Sequence, residues 1–224
     1  FIDRISEIAK KHNLPIIEDS AQSLGSTYKG KHAGTFFDLG CWSMYPAKVM
    51  TAGEGGFIAT NNKKLRDKLL MIRNHGMVHG YDTRIFGLNL RLPEISAAIA
   101  TIQMKKLPGF LKTRQKNANL LSKLISDLDI ILPHQRNYEN VNWYLYTIAT
   151  SKRDKILKKL NAKGIGAASY YPIPVHKTPF YQQKIKLPVT EWASSHVLSL
   201  PIHPKVTTKN IEFIAKTLRD ILNE

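Results

Sequence analysis

The sequence predicts an α/β fold, and three observations carry that prediction. Residues 2–12 have the spacing of an amphipathic helix and lead straight into the apolar run Leu14-Pro15-Ile16-Ile17, the helix-then-strand order of a βαβ unit. Short apolar runs then alternate with helical spacing up to residue 74. After Pro133 the same mixture recurs on a smaller scale. The 224 residues are 43% hydrophobic and 22% charged, which excludes disorder and fibrous repeats and suits one large domain or two small ones.

The elements follow in order. Ile2, Ile5, Ile8 and Ala9 share one face of the first helix, and Asn13 is its stop. Residues 14–17 predict a buried strand ending in Glu18-Asp19. The strand that should precede the first helix is absent, and the chain starts with Phe, so it is expected to begin inside a domain. Lys29-Gly30-Lys31 predicts a turn. Residues 38–44 predict a strand broken by Tyr45-Pro46; residues 57–60 predict another, after the flexible Gly53-Glu54-Gly55-Gly56. Residues 63–74 are helical, and 76–89 form a polar loop long enough to be functional. A helix begins near Pro93 with the stripe Leu92, Ile95, Ile99 and Ile102, is interrupted at Pro108-Gly109, and is followed by a helix over 110–126. Residues 143–150 alternate as a strand, 152–162 are helical up to Gly164, 168–171 form a short strand, 172–188 are loop-rich, and 208–222 form the last helix. The expected domains are residues 1–110, the partial large domain, and 111–224, a small α/β domain that shares the long helix at its start.

Composition removes several functions. One cysteine, Cys41, excludes an intrachain disulfide framework, a cysteine zinc site and an iron–sulfur cluster. No apolar run approaches the ~20 residues of a membrane span and no secretory signal is visible, so a cytoplasmic setting without membrane attachment is expected. The net charge of +16 comes from scattered pairs such as Lys10-Lys11 and Lys158-Lys159, with no run of five. That pattern fits solvated helix faces first, an anionic substrate second and a nucleic-acid partner last.

The chemistry gathers at strand ends. Asp19 closes one predicted strand, with Gln22 three residues on; Ser43 and Lys48 follow another. In parallel α/β sheets ligands bind beyond the carboxyl ends of strands. A carboxylate and an amine on neighbouring strand ends suit pyridoxal 5′-phosphate (PLP), which needs a lysine and an acid beside its ring nitrogen. The acid keeps that nitrogen protonated, and the lysine moves protons. Read from residue type alone, an Asp at a strand end is more often a cap or a surface charge, and one lysine among 33 basic residues is more often solvated.

The string Glu18-Asp19-Ser20-Ala21-Gln22-Ser23-Leu24-Gly25 resembles the EDxAQxxG motif of the DegT/DnrJ-type sugar aminotransferases. Trp42-Ser43-Met44-Tyr45-Pro46-Ala47-Lys48 and Thr51-Ala52-Gly53-Glu54-Gly55-Gly56 are similar to the family's lysine segment. Arg73-Asn74-His75-Gly76, Gly87-Leu88-Asn89-Leu90-Arg91-Leu92, Gly164-Ile165-Gly166, Tyr171-Pro172 with His176, and the run from Leu198 to Pro204 match further family motifs in the right order. The resemblance implies the C-terminal part of a PLP fold type I large domain, a mostly parallel sheet with helices, followed by a small α/β domain. It implies amino transfer from an amino acid, with L-glutamate expected, to a keto group on a nucleotide-linked sugar for polysaccharide or lipopolysaccharide synthesis. By resemblance Lys48 carries PLP, Asp19 pairs with the ring nitrogen, Gln22 lies beside the ring, Ser43 binds the phosphate, Asn89 reaches the phosphate of a neighbouring subunit in a homodimer, and His176 lies on the substrate side. A branch of the family in which His replaces the lysine performs dehydration; Lys48 stands against it. By type alone Ser43 also reads as a strand hydroxyl, Asn89 as a turn residue and His176 as a surface imidazole. Family members carry a hundred or more residues before this point, with part of the phosphate cup. The alternative expectation is therefore a fragment or subunit that assembles with a separate N-terminal chain.

Overall fold

A computed structural model of the chain describes residues 2–224, in two units. The first runs to Gly109 and takes in Arg136–Asn142; the second holds Phe110–Gln135 and Trp143–Glu224.

In the first unit, α1 (Ile2–His12) has Asp3 in its first turn and Lys10, Lys11 and His12 in its last, each sign matched to the helix dipole. Asn13, at φ +50°, ends the helix, and the Leu14 N–H returns to the Ala9 carbonyl. β1 (Ile17–Asp19) pairs parallel with β4 (Leu39–Ser43), which pairs antiparallel with β5 (Gly56–Ala59). Between them, β2 (Thr27–Tyr28) and β3 (Lys31–His32) form a hairpin whose turn residues Lys29 and Gly30 both take positive φ, as a two-residue hairpin turn requires. β6 (Glu139–Asn140) adds to β2 from far along the chain. α2 (Lys63–Arg73) is capped by Asn62, whose side chain accepts the Lys64 and Leu65 N–H groups.

The second unit is built on an antiparallel pair, β7 (Tyr146–Ala149) and β8 (Val197–Leu200). α4 (Arg153–Ala162) packs against β8 and against α6 (Thr208–Asn223), the latter started by a Thr207–Asn210 capping box. Tyr146, Ile148, Ile156, Leu160, Leu198 and Ile211 are fully buried there. A 3₁₀ turn (Val175–Lys177) and α5 (Pro188–His196) precede β8.

Several expectations change. The run at 14–17 is not a buried strand: β1 starts at Ile17, whose side chain is 65% exposed, because no strand among the described residues pairs with its other edge. Pro108-Gly109 does not interrupt the helix: α3 is continuous over Glu94–Ile125. Pro108 forfeits one hydrogen bond, and the carbonyl freed at Met104 lies on an exposed stretch where water can take it. The stripe Ile95, Ile99 and Ile102 on α3 faces outward rather than into a core. The strand expected at 168–171 is a single bridge, Ala168 to Ser199. α5 and β8 had no counterpart in the sequence reading. No helix among the described residues is long and apolar enough to cross a membrane.

Candidate active site

The parallel pairing of β1 and β4 aligns their carboxyl ends. Asp19 stands opposite Cys41, and Ser43 lies two residues farther along β4. Strand spacing and rise then separate the Asp19 and Ser43 Cα atoms by about 8 Å. Asp19 is exposed; its Oδ1 accepts the Ala21 N–H at 3.1 Å, an Asx-type turn that carries the chain off the strand. Oδ2 makes no hydrogen bond among the described residues. Burial first, and then the Asp19 charge, push the Cys41 thiol up, so the neighbouring sulfur stays protonated.

Beyond Ser43 the chain folds back on itself. The Met44 carbonyl accepts the Ala52 N–H at 3.0 Å and the Thr51 hydroxyl at 3.0 Å, while the Met44 N–H donates to the Gly55 carbonyl at 2.9 Å. Met44, Val49, Met50 and Ala52 are buried and form an apolar base under this turn. Lys48 is half-buried within it, and its N–H donates to the Tyr45 carbonyl. Ser43 Oγ accepts the Tyr45 N–H at 3.2 Å, which leaves its proton for an outside acceptor. Gly53 and Gly55 take positive φ in the return strand of the turn, and a Cβ at Gly55 would run into Leu92.

Gln22 has its side chain exposed, while its carbonyl accepts the Asn142 amide at 2.8 Å. The same amide reaches the Leu24 carbonyl at 3.0 Å, and the Asn142 N–H donates to Ser26 Oγ. Asn142 is buried and braces the 22–26 segment; nothing in its sequence surroundings signalled that role. Asn89 is exposed on a loop stitched to the end of α2: His75 N–H to Leu88 carbonyl, Leu90 N–H to Arg73 carbonyl, and a bridge between Asn74 and Asn89.

The register thus brings Asp19, Ser43 and the Lys48 turn to one end of the sheet, with Gln22 on the segment leaving that end and Asn89 on a different loop of the same unit. His176 belongs to the second unit. It is only 8% exposed, and its Nε2 lies 3.4 Å from Glu191 Oε1. Glu191 also accepts from Lys177 Nζ at 2.6 Å and from the Leu187 N–H at 3.1 Å. Lys177, then the Leu187 N–H, hold the Glu191 carboxyl well below its usual range, at about 2.

The donor set fits PLP. A carboxylate with one oxygen unengaged matches a ring nitrogen that must stay protonated; an amine on a rigid turn matches an aldehyde; a hydroxyl with a free proton matches a phosphate oxygen.

The DegT/DnrJ/EryC1/StrS aminotransferase family model matches residues 2–219. The chain is 35% identical over 223 residues to UDP-N-acetyl-3-dehydro-alpha-D-glucosamine 3-aminotransferase of Acidithiobacillus ferrooxidans, covering 98% of this chain and 60% of that protein. It is 35% identical over 209 residues to dTDP-3-amino-3,4,6-trideoxy-alpha-D-glucose transaminase of Streptomyces venezuelae, covering 91% and 55%. The crystal structure of S. venezuelae DesV superposes with a TM-score of 0.95 at 31% identity, over 100% of this chain and 62% of that one. The chain therefore spans about 60% of the length of these relatives. The mixed α/β architecture expected from the sequence is the one this structure shares. The family match over nearly the whole chain, and relatives that are nucleotide-sugar aminotransferases, establish that this chain belongs to the DegT/DnrJ/EryC1/StrS aminotransferase family.

Proposed function

We propose that the protein is a PLP-dependent aminotransferase that exchanges the amino group of an amino acid, L-glutamate, for the keto oxygen of a nucleotide-linked sugar. The observation that carries this reading is the β1–β4 register, which sets a carboxylate and an amine-bearing turn at one sheet end. When bound, PLP withdraws electrons from the carbon that bears the migrating amino group. Asp19 holds the ring nitrogen protonated. Gln22 would stand beside the ring, and Ser43 would donate to the phosphate. Lys48 holds the cofactor and moves the proton at the donor α-carbon. Its turn is rigid because Met44 ties both of its ends, so the amine is delivered without a loop having to order first. Asn89 would reach the phosphate of a second copy, and His176, steadied by Glu191, would support the substrate side. The basic surface favours a diphosphate-bearing substrate.

The test is direct. With PLP, borohydride should fix the cofactor on the peptide that contains Lys48, and L-glutamate plus a keto nucleotide sugar should give 2-oxoglutarate and amino sugar. Lys48→Ala should lose the fixed cofactor and at least a hundredfold in rate. Cofactor fixed equally in the variant would reject the assignment.

A second reading is favoured by the edge of β1 that no strand among the described residues pairs with, and by the exposed Ile5, Ile8, Leu14 and Ile17. In it, the chain works after assembly with a separate N-terminal polypeptide that covers that face. Co-expression with such a polypeptide, followed by co-purification and a gain of cofactor binding, distinguishes the two.

A further inference from the structure

Glu18 precedes Asp19 by one residue and has no part in the roles assigned above. Side chains alternate along a strand, so Glu18 and Asp19 leave β1 on opposite faces. Asp19 takes the exposed side; Glu18 is half-buried, with its carboxylate set against a single loop. Its Oε2 accepts the Gly34 N–H at 2.6 Å, and its Oε1 accepts the Phe36 N–H at 2.6 Å and the Phe37 N–H at 3.0 Å. Backbone N–H groups converging from one short stretch form a concave anion cradle of the kind that elsewhere holds phosphate. Here the anion is internal.

The cradle is shaped by its sequence. Gly34 has φ +89°, and a Cβ there would collide with the Trp42 ring. A Cβ at Gly40 would collide with the Gly34 carbonyl. The loop therefore lies directly on β4, and Trp42 in turn stacks on Phe57 of β5, with centroids 4.8 Å apart. Glu18 grips this loop from the neighbouring strand. Asp38 completes the clasp from the other side, since its Oδ2 accepts the Ile16 N–H at 2.8 Å. Between them, β1 has little freedom to slide along β4. The pairing that results, Glu18 opposite Gly40, is the one that sets Asp19 opposite Cys41, two residues short of Ser43. β1 is only three residues long, so its own ladder is a weak determinant of that register.

We propose that Glu18 is a positioning residue, the internal anion of a backbone cradle that locks β1 to β4 and so fixes where Asp19 stands relative to the Ser43–Lys48 turn. The positioning role rests on the function proposed above; the cradle itself does not. The test uses the whole protein and two readouts besides turnover, the thermal midpoint and the PLP affinity by absorbance titration. Glu18→Gln is isosteric but turns an N–H donor toward other donors; it should lower the midpoint and weaken PLP binding by about tenfold or more. Glu18→Ala empties the cradle, and added acetate or formate should restore both readouts, whereas chloride at equal ionic strength should not. Three results overturn the proposal: Glu18→Gln matching wild type, a lowered midpoint with unchanged PLP affinity, or an alanine variant indifferent to carboxylates. If Glu18→Ala does not fold, Glu18→Gln and the shorter Glu18→Asp decide through the same readouts. If wild type binds no PLP, the proposed function fails, and midpoint rescue by acetate still judges the cradle.

Discussion

Asp19 shows how much one side chain must do here. One of its oxygens is spent on the Ala21 N–H, so a single oxygen remains for the ring nitrogen that the proposed function assigns to it. Hydrogen bonds to a charged group contribute about 1.5–3 kcal/mol, which is roughly 10- to 150-fold in binding. Asp19→Asn keeps the shape and the Ala21 contact but removes the charge, so PLP affinity should fall within that range while the thermal midpoint of the protein without cofactor stays close to wild type. An absorbance titration alongside a melt measures both; an unchanged affinity would remove Asp19 from the site. His176 teaches the opposite lesson. By residue type it reads as a surface imidazole, and by resemblance as a substrate-side group, yet its ring is buried beside Glu191. A substrate-side role of the proposed kind would therefore run through what it holds in place.

At the scale of elements, that holding is done by Glu191, at the first turn of α5, which gathers the 3₁₀ turn bearing His176 and Lys177 and the chain at Leu187. The carboxyl is depressed from an ordinary 4.5 to about 2. A depressed carboxylate stabilises the fold fully above its unfolded value and loses that contribution as pH falls through the folded one. Between pH 4.5 and 2 the wild type should therefore lose thermal stability faster than Glu191→Gln, and the two should converge near pH 2. At neutral pH the variant should exchange amide protons faster over residues 175–187. Parallel melts across that window would reject the clasp if the slopes coincide. Elements such as this were only partly legible. β4, α4 and α6 follow directly from periods of 2 and 3.6 in their apolar residues. β8 is hidden because Leu198-Ser199-Leu200 sits between a polar helix and a proline, and α5 has no apolar stripe. The β2–β6 pairing joins two-residue strands more than a hundred residues apart, beyond any local pattern. Pro108 misleads because local propensity yields to the continuity of the long helix. Asp19 and Lys48 stand out as candidates because each sits in a contiguous string at or just beyond a predicted strand end. Glu18 and Asn142 were not, because an acceptor for three N–H groups or a brace across two carbonyls exists only after folding.

For the whole molecule, the feature of the first unit that bears on the proposed homodimer is its exposed apolar surface. Phe86, Leu88 and Leu90 on the loop around Asn89 are exposed, as are Ile95, Ile99 and Ile102 on α3. Exposed apolar side chains that gather into a patch mark interaction surfaces, and Leu88 and Leu90 flank the residue proposed to serve a second copy. If two copies share their sites, Lys48 of one acts with Asn89 of the other. A subunit with Lys48→Ala and a subunit with Asn89→Ala are then each defective as homodimers. Mixing them after reversible dissociation places both lesions in one site of each heterodimer and leaves the other site intact. Random pairing makes half of the dimers hetero, so about a quarter of the sites should recover cofactor binding and turnover. If each site instead drew Lys48 and Asn89 from one chain, every site in the mixture would carry a lesion and nothing would recover. Titrating the intact sites with PLP in the mixture separates these outcomes, and Ile99→Asp, placed in the middle of the exposed stripe, should abolish the recovery by keeping the copies apart.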